Sequence, residues 1–272
     1  MLQVIEIGSL EFPVYGIVSL IGFVLAIIVA CIIAKNSPIP KQDVLFASFY
    51  CGMGILVGAK LLYFITVLPK IIAHIDLLFT KPLAVIIYGF SGFVFYGGLI
   101  GGALGVIIYC KQFHMPLFPY MNIAAPAIPI MHCLGRIACF LTGCCYGIEY
   151  HGPFAVQYPE GTDVKGLSDF ERFPVQLVES LFNLVLFIVL FTYVRKKNPK
   201  PGKALGIYLT AYSIARFTLE FFRGDAVRGS FLFFSTSQWI SLLLFPLGIY
   251  LLTKYIPKEY KQADVQVEVI EE

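Results

Sequence analysis

Residues 205–223 read LGIYLTAYSIARFTLEFFR. The run is apolar and long enough to enter a bilayer, yet it carries Arg216 near its middle. A charged side chain at membrane depth costs at least about 2.5–3.5 kcal/mol on insertion scales, so such residues face an interior cavity and mark function. Tyr212, Arg216, Glu220 and Arg223 are spaced by four, four and three residues. At about 100° per residue these spacings predict one polar stripe on a single helix, lining a polar cavity within the membrane. The plainer alternative is an Arg216–Glu220 ion pair, one turn apart, that only joins helices. A second arginine, Arg136, lies in the run PIMHCLGRIACFLTG at 129–143.

The rest of the chain agrees with a membrane setting. Of 272 residues, 58% are hydrophobic and only 14% charged, which excludes a soluble domain. The fold expected is an all-α polytopic membrane protein of about seven transmembrane helices. Spans of bilayer length fall near Tyr15–Lys35, Val44–Leu68, Gly92–Cys110, Tyr120–Phe140, Pro174–Val194, Leu205–Phe222 and Phe231–Leu252. The apolar piece Pro82–Phe90 is too short to cross and reads as re-entrant or interfacial. These spans make 1–253 a single transmembrane domain, with 254–272 a flexible cytoplasmic tail that becomes acidic at its end.

Basic residues set the orientation. The run RKKNPKPGK at 195–203 lies on the side with most of the loop Lys and Arg, so that side is cytoplasmic. An odd number of spans then puts the N-terminus outside and the C-terminus inside. The start lacks the basic segment of a cleavable signal peptide, so no cleavage is expected. Arg216 falls about six residues, or roughly 9 Å, before the outer end of its span, and Arg136 about one turn from the outer end of its own. Both therefore belong to the outer half of the bilayer. A net charge of +3 is too small to suggest nucleic acid as a partner.

Several short segments carry candidate chemistry. Tyr96-Gly97-Gly98-Leu99-Ile100-Gly101-Gly102 contains two overlapping small-xxx-small pairs, which point to close helix packing. Alternatively, the glycines let a lipid head group reach the backbone beside the Tyr96 hydroxyl. Residues 135–147, GRIACFLTGCCYG, begin in a helix and break at glycines where the chain leaves the membrane. An arginine there suits bidentate phosphate binding through its planar fork. Glu179, in Arg172-Phe173-Pro174-Val175-Gln176-Leu177-Val178-Glu179, is a buried acid that needs a partner, and Lys60 is one candidate.

Of the seven cysteines, Cys31, Cys51 and Cys110 read as small core residues. Cys133, Cys139, Cys144 and Cys145 cluster near the candidate site with His132. For these four, packing or a disulfide ranks above a metal site, because no CxxC pair occurs, and a metal site ranks above a catalytic thiol. No metal and no cofactor are expected.

Taken together these segments resemble the bacterial prolipoprotein diacylglyceryl transferases, over most of the chain and in the same order. The resemblance runs through Tyr15-Gly16, Gly58-Ala59-Lys60 to Tyr63, Gly97-Gly98-Leu99, Gly135-Arg136-Ile137 up to Gly147, Arg172-x-Pro174-x-Gln176-Leu177-x-Glu179, Tyr212-x3-Arg216-Phe217-x2-Glu220-Phe221-x-Arg223 and Ser237-Gln238. The family usually has His where this chain has Tyr96, and its signature has Asn, Asn and Glu where Cys139, Thr142 and Cys144 stand. The resemblance implies transfer of diacylglyceryl from phosphatidylglycerol to the lipobox cysteine of a prolipoprotein signal peptide, in the bacterial inner membrane. It implies Arg136, Arg216 and Tyr96 as catalytic residues. Tyr15, Gly97, Gly98, Gly147, Tyr212, Glu220 and Arg223 would bind substrate. The arginines would hold the phosphate and stabilise the departing anion. A phenol ionises near pH 10 in water, so a tyrosine in the histidine's place is a poor base near neutrality without help from Arg216 or Arg223. The altered positions keep open two other readings: a related transferase acting on another thiol acceptor, or a lipid-binding or transport protein without catalysis.

Overall fold

The computed structural model describes residues 4–8, 10–37, 39–74, 76–159, 167–225 and 230–253. The tail expected at 254–272 lies outside them. The described residues are mainly helical, with two short hairpins, and group into two compact units: Met1–Ser37 with Phe118–Glu272, and Pro38–Leu117.

In the first unit, β1 (Val4–Ile7) pairs antiparallel with β2 (Leu10–Pro13) across a turn at Gly8, whose φ of 65° suits glycine. Pro13 then starts α1 (Val14–Ala34), which is apolar throughout and ends where Lys35-Asn36-Ser37 turns polar.

The second unit begins with α2 (Lys41–Ala73), followed by α3 (Asp76–Thr80), α4 (Pro82–Phe90) and α5 (Phe95–Gln112). With 33 residues, α2 is roughly 50 Å long and outruns a hydrocarbon core of about 30 Å. It packs on α5 through facing glycines. A Cβ on Gly58 would collide with the Gly97 carbonyl, one on Gly101 with Gly54, and one on Gly105 with Tyr50. The small-xxx-small pattern thus serves backbone-to-backbone packing, as it does between membrane helices generally. The short segment at 82–90 is a helix, bent by 74° from α5 and stacked on α2 through Phe90 and Phe64.

The first unit resumes with α6 (Leu117–Thr142), α7 (Val175–Lys197) and α8 (Lys203–Leu219). A 3-10 turn (Glu220–Phe222), a hairpin of β3 (Ser230–Phe231) with β4 (Phe234–Ser235), and α9 (Thr236–Thr253) complete it. Asn198 (φ 39°) and Gly202 (φ 90°) adopt left-handed conformations that turn the chain from α7 into α8, and Asn122 of α6 donates to the Pro199 carbonyl in that turn at 2.6 Å. Gly206 and Gly248 let α8 and α9 approach closely: a Cβ on Gly206 would lie 2.9 Å from the Gly248 carbonyl oxygen.

Helices stand at all seven expected places. Five are long and apolar enough to cross a membrane, or six if the bent pair α4 and α5 counts as one span. The helix α8 has 17 residues and falls just short on length. The last span starts later than expected: Phe231–Ser235 lie in the β3–β4 hairpin, because Leu232 turns the chain with a φ of 56°.

Candidate active site

Four helices of the first unit deliver polar side chains to one buried point. Glu179 of α7 is the hub, with its side chain 2% exposed. Arg136 of α6 places Nη2 3.0 Å from Glu179 Oε1, and Arg216 of α8 places Nη1 3.9 Å from Oε2. The Tyr212 hydroxyl, one turn before Arg216, donates to Glu179 Oε1 at 2.9 Å. Tyr212 has a single proton to give, so its 3.3 Å contact with His132 has the imidazole Nε2–H donating to the phenol oxygen. The Tyr212 ring stacks on Tyr208, which fixes its position.

Arg216 has two further partners. Its Nη2 donates to Ser237 Oγ of α9 at 2.9 Å and lies 2.5 Å from Glu220 Oε2. The ion pair expected from spacing is therefore present, inside a larger network. Two guanidinium groups face two carboxylates, so the cluster is close to neutral before a ligand enters. Burying it is tolerable only because the charges balance. Arg136 Nε and Arg216 Nη1 are nonetheless buried without a hydrogen-bond acceptor. Unsatisfied buried donors of this kind call for an anionic or acceptor ligand.

The segments that follow α6, precede α7 and follow α8 are tied by strand-like pairing. Ile148 N donates to the Phe222 carbonyl at 3.0 Å, Phe173 N to Ile148 at 3.0 Å, and Gly224 N to Tyr146 at 3.0 Å. Gly147 sits at the crossing, bridged to Arg223, and a Cβ there would strike the Phe173 carbonyl. Gln176 donates to the Cys144 carbonyl and to the Tyr158 hydroxyl, both at 2.9 Å, and burial pushes the Tyr158 phenol up from its ordinary range.

Two expectations need correction. The polar stripe ends at Glu220, because the helix tightens and stops there. Arg223 is in extended backbone, and its fork grips Asp225 through Nε and Nη2, both at 2.9 Å. Lys60 is not the partner of Glu179, whose charge is met by Arg136 and Arg216. Lys60 instead donates to the Phe90 carbonyl and sits 3.9 Å from the centre of the Phe93 ring.

The other expected residues fall as follows. Tyr15 is in the first turn of α1, within electrostatic range of Arg136 and of Cys139, Cys144 and Cys145. Tyr96, Gly97 and Gly98 belong to the second unit, in the first turn of α5. The Tyr96 ring lies edge-on to Phe95, and Gly97 is packed on Gly58 and Leu62. The sequence identifies Glu179 as a buried acid but not as the centre of the site. Its spacing from Pro174 and Gln176, at the start of an apolar span, was the available signal.

Converging arginines, two of whose N–H donors have no acceptor, surround a buried carboxylate among the apolar helices of a multi-pass membrane protein. The chain belongs to the prolipoprotein diacylglyceryl transferase family, whose model matches residues 3–254. It is similar to the phosphatidylglycerol--prolipoprotein diacylglyceryl transferase of Clostridium tetani, at 32% identity covering 90% of this chain and 94% of that protein. It is also similar to the second such enzyme of Clostridium perfringens, at 30% identity covering 90% and 92%. The enzyme of Rickettsia bellii is 32% identical, covering 92% and 94%.

Proposed function

We propose that Arg136 and Arg216, held apart by Glu179, receive the phosphate of phosphatidylglycerol, and that this chain transfers the lipid's diacylglyceryl group to the cysteine thiol of a prolipoprotein. The observation that carries the assignment is the pair of buried, acceptor-less donors, Arg136 Nε and Arg216 Nη1, in one cluster. Family membership supports the reaction itself.

In this reaction the acceptor sulfur attacks the glyceryl carbon that bears the phosphate. An S–C bond forms, the C–O bond to phosphate breaks, and glycerol phosphate leaves with the electron pair. Negative charge grows on the phosphate as that bond stretches. Donors already fixed in place stabilise that charge without rearranging, which is the largest source of catalysis in such sites. Glu179 orients both forks, and Ser237 and Glu220 hold the second. Tyr96 is proposed to hydrogen-bond the attacking sulfur. Tyr15, Gly97, Gly98, Gly147, Tyr212, Glu220 and Arg223 would shape the lipid and peptide sites. Arg223 acts there through its Asp225 pair, by fixing the crossing at Gly147.

Residues 1–253 form one transmembrane domain in this reading, with α8 as the seventh span, the N-terminus outside and the C-terminus cytoplasmic. That topology puts the site in the outer half of the bacterial inner membrane, where exported prolipoproteins present a lipobox cysteine. No nucleic acid is involved. The test is complementation. Expressed in bacteria depleted of their own transferase, this chain should restore diacylglyceryl modification of a lipobox reporter. A reporter that stays unmodified although the protein is inserted would sink the reading.

A further inference from the structure

Cys139, Cys144 and Cys145 bring their sulfur atoms within 4.8 Å of one another. Cys139 lies on α6 one turn beyond Arg136, on the same face. The chain then breaks. Gly143 has a φ of 75° and Cys145 one of 59°, and these left-handed residues fold the segment back over the end of α6. The Cys144 amide donates to the Cys139 carbonyl at 3.0 Å, and the Thr142 hydroxyl to Cys144 Sγ at 3.5 Å. A non-glycine residue held left-handed costs free energy, yet Cys145 takes this conformation and so joins the other two thiols. None of the three is in a disulfide.

We propose that Cys139, Cys144 and Cys145 form a three-thiolate site for a thiophilic divalent cation, zinc in the cell, whose open fourth position receives the acceptor thiol. Sulfur ligands select soft and borderline cations over magnesium or calcium. Three protein ligands with one open position is the arrangement of reactive rather than structural zinc sites. At a Zn–S distance of 2.3 Å, tetrahedral sulfurs stand roughly 3.8 Å apart, so side-chain rotation suffices to close the cluster. Three thiolates around a divalent cation leave one negative charge. Arg136, although paired with Glu179, lies within electrostatic range of Cys139 and Cys145 and favours that charge.

The site supplies the deprotonation that an attacking thiol requires. A thiol that coordinates zinc is deprotonated, so the acceptor's proton goes to solvent as its sulfur binds. The bound thiolate then uses its electron pair to form the S–C bond, while the C–O bond to phosphate breaks and glycerol phosphate carries that pair away. No oxidant or reductant is needed. This inference rests on the reading that the acceptor is a thiol.

The experiment uses the full chain, purified in detergent, reduced and metal-free, and titrated with Cd²⁺ and with Co²⁺. One equivalent of Cd²⁺ should give a thiolate charge-transfer band, and Co²⁺ a tetrahedral d–d band. Zn²⁺ should displace both. The bands should vanish in C139S/C144S/C145S and persist in C31S/C51S/C110S. Because the triple variant could misfold, Cys145→Ser alone is measured too, and should weaken Cd²⁺ affinity more than about tenfold with an unchanged helical spectrum. No band in the wild type, or a band that survives the triple change, overturns the proposal. In a second arm, a peptide with a lipobox cysteine should shift the Co²⁺ d–d band while its serine version does not. An unshifted spectrum overturns the acceptor role. Failure of the transferase reading looks different: no transfer by any form, with the Co²⁺ and Cd²⁺ bands unchanged.

Discussion

Arg136 on α6 and Glu179 on α7 meet at 3.0 Å, with side chains 12% and 2% exposed. This contact joins two residues that lie 43 positions apart in the chain (136 and 179), and Glu179 extends it to α8 through Tyr212 and Arg216. One carboxylate therefore sets the position of both guanidinium forks.

Glu179→Gln keeps the shape of the side chain and removes its charge. It leaves two buried guanidinium groups short of a counter-ion, a change that costs about 3–5 kcal/mol when a buried pair is broken. Thermal unfolding in detergent should start several degrees lower, and transfer should fall with it. A wild-type melting curve together with wild-type turnover would show that the arginines do not depend on Glu179.

Tyr96→Phe removes one hydroxyl and leaves the ring packed on Phe95. Steady-state transfer should drop by something on the order of 10²-fold while melting stays unchanged. An unaltered rate would remove Tyr96 from the chemistry.

Glycine substitutions should separate packing from function. Gly101→Ala puts a Cβ against the Gly54 carbonyl between α2 and α5, whereas Gly135→Ala meets nothing within 4 Å. Overpacking of the first kind costs typically about 1–3 kcal/mol. The expected pattern is a lowered melting temperature for Gly101→Ala and an unchanged one for Gly135→Ala. Equal melting of the two would contradict the close approach of these helices.

The loop before α7 should respond to pH. His151 Nε2 lies 3.1 Å from Glu149 Oε1 and Nδ1 3.5 Å from Glu171 Oε2, and hydrogen bonds to these carboxylates, Glu149 first, raise its pKa above the ordinary value. A raised folded-state pKa means that the contribution is fully present below about pH 6.5, the unfolded value. It is lost as pH rises through the folded pKa. The group is exposed, so the effect is small and screened by salt. Hydrogen exchange over 148–156 should be slower at pH 6 than at pH 8 after correction for intrinsic rates, and His151→Ala should abolish the difference. Identical corrected rates in the wild type would remove the bridge.

Much of this was legible in the chain. The seven apolar runs marked the helices, because each carries enough hydrophobic surface to declare itself without tertiary context. The Arg216–Glu220 pair followed from spacing alone, since neighbours one turn apart meet whichever helices surround them. The glycines of α5 were readable as a packing face for the same reason. What the sequence could not supply was the choice of partner across helices. Glu179 reads as an acid in need of a cation, with Lys60 as a candidate, and only the packing of α6 on α7 reveals Arg136 as its partner. Arg223 was assigned to the stripe because helical periodicity says nothing of where the helix stops. The tightening at Glu220 and the pairing of Gly147 with Arg223 depend on a loop some 75 positions away. The three thiols met by the same kind of backbone event, a left-handed turn at Cys145 that a list of spacings does not reveal.

The shared role of Arg136 and Arg216 is tested by the rate of diacylglyceryl transfer from phosphatidylglycerol in Arg136→Lys, Arg216→Lys and the double variant, at matched amounts of inserted protein. Lysine keeps the charge and loses the planar fork. Each single change should lower kcat by about 10²–10³-fold. The double variant should be little worse than either single one, because residues that act as a unit are not additive. Wild-type turnover in either lysine variant, or losses in the two that simply multiply, would contradict a single phosphate site built from both arginines.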